Sequence, residues 1–104
     1  MENEKFEDVL RNRNGRALLV KFGAVWCGPC RTMQPILEEF AERWAEYVDV
    51  FSVDVDEDPE VANRFKIRTV PTIIFFSPDG QPLDRHHGTV PLGLLNTMVG
   101  RYYR

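Results

Sequence analysis

Two cysteines, Cys27 and Cys30, lie two residues apart in the stretch Phe22-Gly23-Ala24-Val25-Trp26-Cys27-Gly28-Pro29-Cys30-Arg31, and the chain has no others. A pair at this spacing can exchange disulfides or supply half of a metal site. An apolar run precedes it and a helical repeat follows it, which places the pair at a strand-to-helix junction. A helix start presents unpaired N–H groups and the positive end of its dipole, and both stabilise a thiolate at Cys27. Pro29 fits the first helical turn, where a missing N–H costs nothing. Cys30 then lies one turn in, close enough to close a small ring. A bridge over so short a loop removes little unfolded-chain entropy, so a purely structural role is disfavoured. A metal site would need two more ligands. The only histidines, His86 and His87, are neighbours on a strand and point to opposite faces.

At 104 residues the chain is read as one domain, 1–104, able to bury a core without staples. Its net charge of −3 is mild and both signs are scattered, which favours neither a nucleic-acid groove nor a basic membrane face. No apolar run approaches the ~20 residues of a membrane span. The start, Met1-Glu2-Asn3-Glu4-Lys5, is polar and leads into no apolar segment, so as it stands it does not read as a secretory signal, and a cytoplasmic location is expected.

Periodicity supplies the frame. Phe6, Val9 and Leu10 follow a helical repeat after Asn3, read as the N-cap, up to Asn14-Gly15. The run 17–22 reads as a strand buried on both faces apart from Lys21. Met33, Ile36, Leu37, Phe40, Ala41, Trp44 and Val48 predict a helix of about five turns, kinked at Pro35. Residues 50–55 form a second strand, parallel to the first because a helix joins them. Asp58 and Pro59 start a short helix as N-cap and first residue. Residues 72–76 and 83–87 read as an antiparallel pair around the turn Ser77-Pro78-Asp79-Gly80, and Leu95, Met98, Val99 and Tyr102 mark a closing helix. The Arg101-Tyr102-Tyr103-Arg104 tail reads as a fraying helix end.

Trp26-Cys27-Gly28-Pro29-Cys30, with Pro35 and Thr69-Val70-Pro71-Thr72, resembles the thioredoxin family over nearly the whole chain. The resemblance implies an α/β thioredoxin-like fold: a central mixed sheet of about four strands in order 2-1-3-4, with helices on both faces. The family's usual first strand is expected to be missing or vestigial. The resemblance also implies the roles of the site residues. Cys27 is the attacking thiol and Cys30 the resolving one, in an active-site loop with Trp26, Gly28 and Pro29. Val70, cis-Pro71 and Gly88 would line a groove for an extended substrate. The plainer alternatives are a strand-edge proline at Pro71, a turn glycine at Gly88 and a packing role for Trp26.

Three departures stand out. Lys21 occupies the position where thioredoxins commonly bury an Asp, Ser52 replaces a Lys on the neighbouring strand, and Gly23 stands where an aromatic is frequent. A buried lysine can act as a neutral base or, when charged, favour thiolates; it can also snorkel to water and do neither. Lys21 is therefore a pKa-tuning candidate.

The function expected is a dithiol–disulfide oxidoreductase, most simply a reductant of protein disulfides. It would be a monomer with no bound cofactor and no metal, re-reduced by a thioredoxin reductase or equivalent donor. A disulfide oxidant or isomerase is the neighbouring alternative, and a non-catalytic interaction module the alternative from another class.

Overall fold

The structure, a computed structural model, describes residues 2–11 and 15–103. Its elements run α1 (Glu2–Arg11), β1 (Ala17–Gly23), α2 (Gly28–Arg43), β2 (Val48–Asp54), α3 (Pro59–Arg64), β3 (Thr72–Phe76), β4 (Pro82–His87) and α4 (Leu92–Tyr102). Four strands form one sheet in the order β2-β1-β3-β4, the order expected. β1 and β2 are parallel, whereas β3 runs antiparallel to both β1 and β4.

The alternation of β1 explains how one strand serves two cores. Ala17 and Leu19 face α2 and α4, where they meet Met33, Leu37, Phe40, Leu95, Met98 and Val99. Leu18, Val20 and Phe22 face the other way, against Phe6 of α1 and Val61 of α3. Consecutive strand residues point to opposite faces, so an unbroken apolar run is what a strand covered on both sides requires. Ile73 and Phe75 join the first layer, Ile74 and Phe76 the second. This fixes the register of β3 against β1, because a one-residue slip would exchange the two layers.

Several boundaries differ from expectation. The α1 helix already includes Glu2, so Asn3 lies within its first turn; the proposed stop at Asn14 lies outside the described residues. Pro35 sits inside α2 without ending it, and α2 stops at Arg43, with Trp44 as its C-cap. Val48 begins β2 instead of closing the helix. Its spacing from Trp44 fits a helical face, and its N–H makes the helix-like bond to the Trp44 carbonyl four residues back, yet it pairs with Ala17 across the sheet and its side chain joins the strand layer. Asp58 occupies the N-cap position of α3 without a side-chain cap hydrogen bond.

The C-terminal tail is anchored. Tyr102 stacks on Phe75 and donates to the Leu83 carbonyl at 3.1 Å. The Tyr103 hydroxyl accepts from the Ala17 N–H at 3.0 Å and donates to the Tyr47 carbonyl. Arg104 lies outside the described residues.

Leu19 is fully buried at the centre of β1. Leu19→Ala removes packing that its neighbours only partly refill and is expected to lower stability by about 2–5 kcal/mol, read from urea unfolding with an unchanged slope.

Candidate redox site

At the end of β1 the chain leaves the sheet through Ala24, Val25 and Trp26 and enters α2 at Gly28. Cys27 is the N-cap, in extended backbone geometry, with proline in the first helical turn. Its Sγ accepts the Cys30 N–H at 3.2 Å, so one of the orphan donors of the helix start is aimed at this sulfur. Cys27 and Cys30 form a disulfide with Cα atoms 5.3 Å apart. Both cysteines are buried, 4% and 3% exposed. Exposure therefore does not separate them; what distinguishes Cys27 is its place at the helix end.

The loop is held by bonds from distant residues. Arg31 Nη1 donates to the Val25 carbonyl at 2.5 Å, and Trp26 Nε1 donates to Asp56 Oδ2 at 2.8 Å. Asp56 is itself placed by its N–H bond to Asp54 Oδ1. Trp26 remains 65% exposed and Val25 76% exposed, so the indole lies on the surface, hydrogen-bonded at one edge.

The second segment arrives from 40 residues downstream. The Val70–Pro71 peptide bond is cis, and Val70 packs against the cluster of Ala24, Cys27 and Cys30. Gly88 has φ +82° and donates its N–H to the Pro71 carbonyl at 2.8 Å. A Cβ there would meet no atom within 4 Å, so the glycine serves its left-handed backbone and leaves open space beside Pro71.

Lys21 lies on the α2 side of β1, two residues beyond Leu19. It is only 9% exposed, and its Nζ donates to Gln34 Oε1 at 3.4 Å. Burial holds its pKa below the ordinary value of 10.5, because desolvation penalises the ammonium form. Gly23, two residues further along the same face, touches Cys30: a Cβ there would stand 3.1 Å from Cys30 Sγ and 3.5 Å from Lys21 Cε. The lysine stem and the inner sulfur thus border the same small space.

The family model described as Thioredoxin matches residues 1–100. The chain belongs to the thioredoxin family. Among relatives, it is 47% identical over 76 residues to the thioredoxin of Alicyclobacillus acidocaldarius, covering 73% of this chain and 71% of that one. To chloroplastic Thioredoxin Y1 of Arabidopsis thaliana it is 41% identical over 87 residues, covering 84% of this chain but 49% of the relative. The chain thus spans about half the length of that plant thioredoxin. Among solved structures, Fasciola hepatica thioredoxin superposes with a TM-score of 0.85 at 33% identity, over 95% of this chain and 92% of that one.

The structure brings Trp26, Cys27, Gly28, Pro29, Cys30 and Val70 to one end of the sheet, with Pro71 and Gly88 bonded beside them. Lys21 and Gly23 approach from beneath. Asp56 and Gln34 are additions. Asp56 lies 30 residues from Trp26 with no local signal of the pairing, whereas Gln34, one turn beyond Cys30 on α2, could have been placed by helical spacing.

The lysine gives a pH signature. In the oxidised protein neither cysteine titrates. With Lys21 depressed in the folded state, the unfolded chain binds more protons between the two pKa values, so stability rises with pH in that window and levels off above 10.5. The difference in urea midpoint between native protein and Lys21→Met is expected to shift in favour of the native protein as pH climbs toward 10.5. A shift the other way contradicts the buried ammonium.

Proposed function

We propose that this protein is a thiol–disulfide oxidoreductase that reduces protein disulfides. The observation that carries the reading is the Cys27–Cys30 disulfide at the start of α2, with an α2 N–H aimed at Cys27 Sγ and the Val70–Pro71 segment packed against it. In the dithiol form the helix end favours the Cys27 thiolate. That thiolate attacks one sulfur of a substrate disulfide, forming a Cys27–substrate mixed disulfide and releasing the other substrate sulfur as a thiolate. Cys30, deprotonated, then attacks the Cys27 sulfur. The second substrate sulfur departs and takes up a proton, and Cys27 and Cys30 are left oxidised. Two electrons pass to the substrate; a separate dithiol donor of the thioredoxin-reductase kind returns them.

Val70 and Gly88 flank cis-Pro71 beside the disulfide and form the docking surface for an extended segment. Trp26, exposed on the same loop, covers apolar surface of the bound partner. Such chemistry belongs in a compartment that keeps thiols reduced, for which we propose the cytoplasm. A Lys21 ammonium beside Cys30 lowers the cost of the Cys30 thiolate and replaces the carboxylate that the family commonly buries here.

In an insulin-reduction assay Cys27→Ser is expected to abolish turnover, while Cys30→Ser accumulates a mixed disulfide on Cys27. Absence of turnover in the native protein, with partner binding unchanged in Cys27→Ser, would point to an interaction module instead. For the lysine, the rate of thiol alkylation against pH is expected to shift to higher pH in Lys21→Met; superimposable profiles would remove its tuning role.

A further inference from the structure

We propose that the cleft at the carboxyl ends of β1 and β2 binds a small zwitterionic thiol or disulfide, of amino-acid to tripeptide size. The α2-facing side of these strands is apolar through Ala17, Leu19, Val48 and Val50. The next two pairs in register are Lys21 with Ser52 and Gly23 with Asp54. Apolar filling therefore stops and gives way to an ammonium, a hydroxyl, a carboxylate and a position with no side chain. The result is a cavity of about 540 Å³, lined by these four residues, by Arg31 and Gln34 of α2, and by the loop after β2. That is the size of a small-ligand site, and it lies where open α/β sheets receive ligands, beyond the carboxyl ends of parallel strands.

Two observations point to an occupant. Lys21 lines the cavity while nine-tenths buried, and among the described residues its ammonium makes one hydrogen bond, the long one to Gln34. A cation withdrawn from water is stabilised by an anion brought to it, which a ligand carboxylate supplies. Gly23 keeps the floor open between Lys21 Cε and Cys30 Sγ. Arg31 adds a second cation for the carboxylate, Asp54 and Glu57 supply anions for an amino group, and the buried Asp58, which has a partner within the chain, lines the same cleft. Cys30 lines the cleft, whereas Cys27, Trp26, Val70 and Pro71 do not. A small ligand therefore brings its sulfur to the Cys30 side of the pair, away from the surface assigned to protein substrates.

The test is titration of S-methylglutathione, which cannot exchange, into the oxidised ¹⁵N-labelled chain, followed by amide shifts. Saturable shifts are expected at Gly23, Gln34, Ser52 and Asp54. Binding should weaken by at least about tenfold in Lys21→Met, which removes the anchor charge, and in Ser52→Phe, which narrows the mouth. If one variant does not fold, judged by its melting curve, the other decides. Absence of saturable shifts, shifts centred on Val70 and Gly88, equal affinity for acetate, or indifference to both substitutions would overturn the proposal. Binding needs no turnover, so it stands or falls apart from reductase activity.

Discussion

The bond from the Cys30 N–H to Cys27 Sγ is the contact on which the site depends. It exists because the helix starts at this sulfur, and the helix can start there because Pro29 occupies its first turn without wasting a donor. The sheet below holds the helix in place: Met33, Leu37 and Phe40 bury one face of α2 against β1 and β3. Orientation of a single backbone N–H toward sulfur is thus maintained by apolar burial several turns away. The same burial fixes the strand register that brings Val70 to the disulfide.

The space beneath the pair is the costly part of this design. Strand β1 spends its first positions on apolar packing toward α2 and its last two on Lys21 and Gly23. A lysine held largely out of water destabilises the charged form it would have in solvent, and a glycine in a strand forgoes packing. A fold optimised only for stability would put an apolar side chain at each position. The departure lies next to Cys30, where the electrostatic environment of the inner sulfur decides how readily it is released as a thiolate. The cost in stability and the tuning of the inner sulfur proposed for Lys21 have the same physical origin, a lysine held in a partly dry cleft.

Much of the fold was legible because its signals are local. The apolar run of 17–22, interrupted only by Lys21, the Ser77-Pro78-Asp79-Gly80 turn and the helical repeat after the cysteines each announce one element, and the crossover rule orders the first two strands. Boundaries were less legible where two periods coincide: Val48 fits a helical face counted from Trp44 and equally well the start of a strand. At the site, the reactive pair, the cis-proline and the unusual lysine could all be marked by residue type and motif. Their surroundings could not. The Trp26–Asp56 bond, the approach of Gly23 to Cys30, and the near-equal burial of the two sulfurs arise from packing between segments far apart in the chain. The tyrosine tail shows the same limit, since its anchoring to Phe75, Leu83 and Tyr47 leaves no mark on the local pattern.

The helix end at Cys27 and the residues beneath Cys30 are proposed to make the Cys27–Cys30 pair an electron donor to protein disulfides. Equilibration of the pair in graded glutathione and dithiothreitol buffers, with the dithiol fraction read by thiol trapping, tests this most directly. A reduction potential well below that of the glutathione couple is the predicted result. A potential well above it, with the dithiol form persisting in oxidised glutathione, would make the protein a disulfide oxidant or isomerase instead of a reductant.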